Sequence, residues 1–327
     1  MKIKSVFFAL ICVSVLMTMA VLTAVAILSI SSGNRYGIKT VAENAIIKAE
    51  SKELASDVKK TDFAFTALGI KWSTNEDINL YLKAREKNKW TPWTQVGQEQ
   101  DNKYENEGNS GFMTTNSADA FQYKIERKNK KSDGQIIADM EITYINARNP
   151  IPKKLYAETA RADNKLKIIS RAEWGADESV RIWDPSRPKP DIKSIDSDYA
   201  DKFSDELKIV RKVTTNSAGQ ELTWPLEYPV KATKVIIHHT DSVKDLDNPA
   251  QAVRNIYLWH TLGRGWGDIG YNYLIDPKGN IYEGRYGGEG VVGAHAGKAN
   301  TGSIGIALME IMRITMCRRP RLIRLKD

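Results

Sequence analysis

Apolar and polar residues alternate with a period of two from about Thr61 to Ile145. The apolar positions form four runs: Phe63 and Phe65; Ile78, Leu80 and Leu82; Phe121, Tyr123 and Ile125; Met140, Ile142 and Tyr144. This alternation is typical of strands with one buried face. Turn-forming residues separate the runs at 73–77, 98–111 and 128–134. The pattern predicts an all-β domain, an antiparallel sandwich over residues 61–147.

A second pattern precedes this domain. Residues 6–30 are a run of 25 residues without a charge, and Lys2 and Lys4 come before it. About 20 apolar residues span a bilayer, with flanking lysines on the cytoplasmic side. The triplet Ala24-Val25-Ala26 also resembles a signal-peptide cleavage site. Residues 1–31 are therefore predicted to be an N-terminal hydrophobic helix, either an uncleaved membrane anchor or a cleaved signal peptide, with a buried core helix as the remaining alternative.

Polar stretches lie between these elements. Residues 32–60 are rich in Lys, Glu, Ser and Ala and predict a stalk. Residues 148–167 contain two prolines and a cluster of charges in "ARNPIPKK", which is typical of a linker. The linker leads to a second domain at residues 168–327.

The second domain has mixed periodicity. Val235 to Ile237 is a β-branched run that predicts a buried strand, and "SIGIALM" predicts another. Asn248 followed by Pro249 is a helix-start signal. The turn sequence Asp276 to Gly279 predicts a hairpin. Strand, helix, hairpin and strand together indicate an α/β domain with a mixed sheet.

Composition narrows the classes of function. The chain has 327 residues and a net charge of +8. Residues 310–327 hold six Lys or Arg and two acids, so this segment alone contributes +4. The remaining charges are interspersed, which does not favour a nucleic-acid partner. Cys12 and Cys317 are the only cysteines, so no disulfide framework is expected in the exported part.

Two tryptophans in the first domain leave a choice open. Trp90 and Trp93 lie close together in "KWTPW". They could form a platform for a sugar ring, or they could pack at the core or edge of the sheet, as large aromatic side chains commonly do.

The chain has four histidines, His238, His239, His260 and His295. His238 ends a predicted strand and is a candidate metal ligand, while His239 faces the other way. His260 falls on the apolar face of a helix, where a buried, hydrogen-bonded histidine is the ordinary case. His295 lies in a loop of small residues, where a binding role and an exposed position are both open.

Four stretches carry a more specific pattern, and they follow one another as "ISRAEWGA", "VIIHHT", "WHTLGRGWGDIGYNYLIDPKGNIYEGR" and "GAHAGKANTGSIGIAL". Together they resemble the peptidoglycan recognition protein and type 2 N-acetylmuramoyl-L-alanine amidase family. The resemblance covers about Ile168 to Leu308 and implies a mixed-sheet amidase or peptidoglycan-recognition domain. The preceding sandwich is similar to a domain found ahead of such amidases in some bacterial cell-wall enzymes.

The resemblance also implies a chemistry. In the family, zinc held by two histidines and a cysteine or aspartate activates water against the amide that joins N-acetylmuramic acid to L-alanine in peptidoglycan. Zinc lowers the pKa of bound water to about 7. His238 matches the first zinc ligand, and Tyr271 matches the tyrosine that orients the water and stabilises the oxyanion. The residues that match or border the substrate cleft are His239, Thr240, His260, Trp266, His295 and Asn300.

The chain departs from the family pattern after this point. The nineteen residues from Met309 onward contain no histidine, whereas the family's other two zinc ligands follow this strand. Reverse translation with one inserted base gives a continuation typical of the family, so the sequence suggests a single-base frameshift. Two functions are therefore expected as alternatives in the cell envelope: a zinc-dependent peptidoglycan amidase with an incomplete C-terminus, or a module that binds peptidoglycan without cutting it.

Overall fold

A computed structural model describes residues 37–49, 51–96, 109–128, 134–148, 167–187, 207–240 and 248–309. The predictions of an anchor or signal at 1–31 and of a frameshifted tail lie outside these residues. Among the described helices, none has both the length and the apolar character that crossing a membrane requires.

The N-terminal domain, residues 37–148, is built on one antiparallel sheet of eight strands. Its strands are β1 (Gly37–Ile47), β2 (Glu53–Ala55), β3 (Lys59–Thr74), β4 (Ile78–Glu86), β5 (Lys89–Trp90), β6 (Thr94–Gln95), β7 (Asn109–Arg127) and β8 (Ile136–Asn146). Their order is β1-β8-β3-β7-β4-β5, with β2 paired to β7 and β6 paired to β4.

One apolar core lies against this sheet. It contains alternating residues that the sequence predicted, including Leu80, Leu82 and Ile125, which are buried. The predicted sandwich has two packed sheets, whereas the structure has one hydrogen-bonded sheet. The reason lies in β3 and β7, which run for 16 and 19 residues and shift register between Lys60 and Ala67. Such bulges bend strands, so a single bent sheet can bury the core.

The first strand corrects the predicted stalk. β1 pairs with β8 over its whole length, from Gly37 opposite Asn146 to Ile47 opposite Ile136. Ala45 and Ile47 are buried, and β2 follows at residues 53–55. The prediction of a stalk over 32–60 is therefore wrong where β1 and β2 lie. The apolar side chains of β1 are too few to reveal a strand without its partner.

The C-terminal domain, residues 167–309, combines short strands with helical turns. Its elements are β9 (Ile168–Ile169), α1 (Arg171–Trp174), a 3₁₀ turn (Glu178–Arg181), β10 (Ile209–Thr215), β11 (Glu221–Pro229), β12 (Lys234–His239), α2 (Pro249–Leu258), a π-helical turn (Trp259–Gly263), β13 (Tyr273–Ile275), β14 (Ile281–Glu283), a 3₁₀ turn (Gly297–Ala299) and β15 (Ser303–Leu308). The main sheet has the order β12-β15-β13-β14-β9 and contains both parallel and antiparallel pairs. The predicted mixed sheet is confirmed.

Two local signals in the sequence act as predicted, one at the start of α2 and one in the hairpin turn between β13 and β14. The side chain of Asn248 accepts a hydrogen bond from the Gln251 N–H and caps α2, with Pro249 in its first turn. Asp276 accepts hydrogen bonds from the N–H groups of Lys278 and Asn280, which fixes the turn between β13 and β14.

Strand β12 differs from the prediction of a strand buried on both faces. Val235 is 59% exposed and Ile237 is 62% exposed, because β12 is the edge strand of the sheet and no described residue covers that face. His238 is half-buried on the opposite face, while His239 is exposed with Val235 and Ile237.

The two domains share a buried contact. The Trp259 ring stacks on Phe112 of β7, with ring centroids 6.0 Å apart. A side chain at Gly69 of β3 would place its Cβ 2.2 Å from that ring, so only glycine leaves room there. Thr66 donates a hydrogen bond to Asn255 Oδ1 at 2.7 Å, and both residues are fully buried. The N-terminal sheet therefore packs directly behind α2 and the π-helical turn.

Candidate functional site

Three elements bring the candidate site together. His238 lies at the end of β12, Tyr271 lies before β13, and His295 lies in the loop before β15. His238 Nε2 and His295 Nδ1 are 3.1 Å apart, and the His238 ring centroid is 5.7 Å from that of Tyr271. We call His238, His260, Trp266, Tyr271 and His295 the histidine–aromatic cluster.

His260 joins the cluster from the π-helical turn that follows α2. Its ring centroid lies 4.7 Å from that of Trp266 and 5.6 Å from that of Tyr271. The Gly270 N–H donates to His260 Nδ1 at 3.1 Å, so this nitrogen is unprotonated. Single π-helical turns of this kind are frequent at functional sites. The Arg264 guanidinium covers the Trp266 ring at 3.9 Å from its centroid.

Asn300 and Gly305 fix the position of the loop that carries His295. Asn300 Oδ1 accepts hydrogen bonds from the His295 N–H at 2.8 Å and the Ala296 N–H at 2.7 Å. A Cβ at Gly305 would lie 2.4 Å from the His295 ring, so glycine is required for the ring to lie on β15. Asn300 is fully buried. The structure thus places Asn300 as a support of His295 rather than at the surface of a cleft.

Burial keeps the cluster's imidazoles neutral. It lowers the pKa of His238, with a further contribution from the charge of His239. It also lowers the pKa of His260 well below its usual value, with Arg264 acting in the same direction. For His295, burial and then His238 lower the pKa to about 3. Neutral imidazoles can accept hydrogen bonds or bind a cation, which imidazolium cannot.

His239 takes a different position from the one that the resemblance implied. His239 leaves β12 on the face opposite His238, so it does not border the cluster. Thr240 is 9% exposed, and its hydroxyl has no hydrogen-bond partner among the described residues. Of the cluster's residues, only His238 is half-exposed, and the others are buried. A ligand would therefore meet the cluster first at His238.

The residues present only partly fit a zinc ion. Two zinc-bound imidazole nitrogens lie about 3.3 Å apart, given zinc–nitrogen bonds of about 2.0 Å in a tetrahedron. The pair of His238 Nε2 and His295 Nδ1, at 3.1 Å, is close to that separation. A catalytic zinc takes three protein ligands. Within the described ranges, no three His, Cys, Asp or Glu residues come close enough to hold one ion. The cluster alone is not a complete zinc site.

The sequence did not identify a buried ion cluster next to this site. Asp268 is fully buried and contacts Arg171 at 3.1 Å, Arg181 at 3.0 Å and Arg285 at 3.1 Å. In the sequence, the one indication of its role was its position within "WGDIGYN", between the candidate site residues Trp266 and Tyr271. Charged residues in a sequence usually indicate a solvated surface, so this carboxylate could not be distinguished from others.

Sequence matches to known proteins fall in the region that forms most of the mixed sheet, the π-helical turn and the histidine–aromatic cluster. Residues 228–318 match the profile of the N-acetylmuramoyl-L-alanine amidase family. Over these residues the C-terminal domain is similar to the peptidoglycan recognition proteins and the N-acetylmuramoyl-L-alanine amidases.

Individual relatives show the same similarity. Peptidoglycan-recognition protein SC2 of Drosophila simulans is 45% identical over 76 residues, which are 23% of this chain and 40% of that protein. Peptidoglycan-recognition protein LB of Drosophila melanogaster is 36% identical over 111 residues, 33% of this chain and 47% of that protein. The chain thus spans less than half the length of these curated relatives. The solved structure of wild-type Drosophila PGRP-LB is 28% identical, covering 44% of this chain and 59% of that chain with a TM-score of 0.26. The similarity to this family therefore rests on the sequence matches.

Proposed function

We propose that the C-terminal domain binds peptidoglycan at the histidine–aromatic cluster. The observation that carries the proposal is the contact of His238 with His295 beside Tyr271, since these residues come from three separate motifs of the family and converge at one place. Peptidoglycan lies outside the cytoplasm, which agrees with the export predicted from residues 1–31. Attachment to a membrane through that segment is part of the same proposal.

The chemistry of the cluster suits such a ligand. Peptidoglycan joins acetylated sugars to peptides, so it offers both apolar ring faces and amide hydrogen-bond partners. The His238 imidazole supplies a hydrogen-bond donor and an acceptor, and the Tyr271 ring lies beside it. The half-exposed His238 is the accessible end of this set.

A second candidate function is the zinc-dependent hydrolysis of the amide between N-acetylmuramic acid and L-alanine. His238 favours it, because its Nε2 lies at a ligand-like distance from His295 Nδ1 and its ring lies beside Tyr271. It requires a further metal ligand beyond the two imidazoles. Binding is the better supported function, because it needs only groups that the cluster already brings together.

Adjacent histidines provide a matched test of binding. We expect His238→Ala to weaken cosedimentation with purified peptidoglycan by about tenfold or more, equivalent to about 1.4 kcal/mol. His239→Ala, which changes the same residue type on the opposite face of β12, should bind as the unchanged chain does. Equal effects of the two substitutions, or no binding by the unchanged chain, would refute the proposal.

Hydrolysis is tested separately on the full chain. Stoichiometric zinc, together with release of stem peptides that Tyr271→Phe abolishes and Tyr273→Phe preserves, would establish the second candidate. Tyr273 is the matched control because it is half-buried on the other face of the sheet, opposite Ile306. Binding without zinc and without peptide release would eliminate hydrolysis and leave the first proposal standing.

A further inference from the structure

The N-terminal domain presents a strip of aromatic rings and lysines on the face of its sheet opposite the core. The strip, which we call the aromatic–lysine surface, consists of Tyr81, Lys83, Trp90, Trp93 and Lys124. Tyr81 and Lys83 alternate along β4 with the core residues Leu80 and Leu82, so they lie on the outer face of the sheet. Trp90 is 37% exposed, and Trp93 is half-buried.

Local backbone structure fixes both tryptophans over this face. Lys87 and Asn88 have φ values of 47° and 64°, which is the conformation of a tight two-residue hairpin turn. The turn sets Trp90 directly opposite Arg85. The chain then returns through β6, which pairs with β4 at Tyr81 and Leu82. Trp93 lies between these two pairings and is held over the same strand.

Lysine side chains join the rings into a continuous strip. Lys83 Nζ lies 4.8 Å from the Trp90 ring centroid and 4.4 Å from the Trp93 ring centroid. Lys124 Nζ lies 4.6 Å from the Tyr81 ring centroid and 5.8 Å from that of Trp93. Cation–π contacts at exposed sites contribute about 0.5–1 kcal/mol each. These contacts orient the rings. Among the described residues, neither tryptophan belongs to the apolar core or is packed against it.

The charges along the strip are not balanced evenly. Lys124 forms ion pairs with Glu126 and, at 3.7 Å, with Glu53. Lys83 has no ion pair with a carboxylate in the part of the chain that the structure describes. Its ammonium therefore remains available between the two tryptophan rings.

The dimensions of the strip favour a linear ligand over a folded protein. A stable protein interface buries about 800 Å² on each partner, far more than one exposed and two half-buried rings can offer. A sugar chain needs less, because the apolar face of each ring can stack on an aromatic side chain while its polar substituents bind neighbouring donors. A carboxylate on the sugar would complement the unpaired Lys83.

We propose that the aromatic–lysine surface binds a glycan strand that carries carboxylates, as a second contact with the polymer that the histidine–aromatic cluster binds. This inference rests on the proposed function. The lactyl carboxylates of peptidoglycan strands, exposed once stem peptides are removed, have the required chemistry. Two contacts on one polymer increase the apparent affinity without any new contact at either site.

The test compares two ligands on the full chain. Peptide-free glycan strands, prepared from peptidoglycan by removing the stem peptides, should bind the unchanged chain. The double substitution Trp90→Ala and Trp93→Ala should weaken that binding tenfold or more, while Ile137→Ala, an exposed apolar residue of the same domain, should not. Small peptide-bearing muropeptides should bind the double variant normally and His238→Ala poorly. If the unchanged chain does not bind muropeptides, the proposed function is refuted. If it binds muropeptides but does not bind glycan strands, only this inference is refuted.

Charge substitutions address the role of Lys83 without altering the rings. Lys83→Met should weaken binding of the carboxylate-bearing strand severalfold and leave binding of an uncharged chitin oligosaccharide unchanged. Lys83→Arg should retain binding of both ligands. Equal binding of polyglutamate, dependent on Lys83 but independent of Trp90 and Trp93, would overturn the proposal, since it would show a site for any polyanion.

Discussion

The two domains bury their interiors in different ways. The N-terminal sheet has strands of up to 19 residues, and its core consists of aliphatic and aromatic side chains on one face of the sheet. In the C-terminal domain, the strands of the main sheet have two to six residues. Its most deeply buried polar residues include Asn255, Asp268, Arg285, His295 and Asn300.

The two kinds of core respond differently to substitution. Apolar burial contributes about 25 cal/mol per Å² in any orientation, so the N-terminal core depends mainly on the area that it covers. Buried polar groups stabilise only when each finds its partner, and a missing partner costs several kcal/mol. Two of these residues hold the loops of the candidate site, since Asp268 accepts a hydrogen bond from the Ile269 N–H and Asn300 accepts one from the His295 N–H. The domain with the candidate site is therefore the one most sensitive to small polar changes.

The largest effect is expected at Asp268. Burial acts to raise the pKa of Asp268, but the charges of Arg171, Arg285 and Arg181 outweigh it and lower the pKa below its ordinary value. Asp268→Asn removes the charge and leaves these guanidinium groups buried without it. We expect a loss of about 3–5 kcal/mol of unfolding free energy, measured by urea denaturation of the C-terminal domain.

Glu178 supplies the matched control for this change. It contacts Arg171 at 2.6 Å and Arg181 at 2.9 Å, but its side chain is 40% exposed. Solvent screens such pairs, so Glu178→Gln should cost less than about 1 kcal/mol. Similar losses in the two variants would show that burial of the charge is not what distinguishes Asp268.

Acid should destabilise the C-terminal domain in a window set by its histidines. The pKa of a histidine in the unfolded chain is about 6.5, whereas burial lowers the pKa of His295 in the folded chain to about 3. Between these values the unfolded state binds a proton that the folded state does not, so stability is complete above the window and falls with pH inside it. From about pH 7 to about pH 4, His295 alone should remove about 3 kcal/mol.

The N-terminal sheet is an internal reference for this measurement, because all four histidines lie at or after position 238. Urea denaturation with a chelator present, followed at several pH values, should show the loss only in the C-terminal transition. His295→Asn should flatten that pH dependence. An unchanged slope in this variant would assign the acid effect to other groups.

Local elements were predictable where neighbouring residues determine them. The alternation through Leu80 and Leu82, the helix start at Asn248 and the turn at Asp276 were confirmed. Each depends on residues a few positions apart. β1 was not predicted as a strand, because its pairing with β8 joins residues about a hundred positions apart and its own pattern is weak.

The same limit applies to the candidate site. Motif positions identified His238, His260, Trp266, Tyr271 and His295, and the structure brings their rings together. No local pattern could show that Asn300 is a buried support. The packing of the N-terminal sheet behind the site could not be predicted from the sequence either, because its contacts depend on the relative position of two complete domains.

That packing provides the smallest of the three expected effects, and it tests whether the two regions are independent. Gly69→Val would place a side chain inside the Trp259 ring, where a Cβ already lies only 2.2 Å away. Overpacking of this kind costs about 1–3 kcal/mol. We expect the substitution to move the unfolding transitions of the two domains in urea further apart and to shift Trp259 fluorescence.

The reason for expecting coupling is the position of Trp259, which precedes His260 in the π-helical turn and lies between Gly69 and Gly263. A displaced Trp259 would move His260 away from Tyr271, so peptidoglycan binding should weaken together with stability. Adding Trp259→Leu to Gly69→Val should recover part of both losses, because neighbouring substitutions that relieve one clash are not additive. Ala42→Val, at an exposed position of the same sheet, should change neither property. If Gly69→Val lowers stability but leaves binding intact, the N-terminal sheet supports the fold of the C-terminal domain without shaping its site.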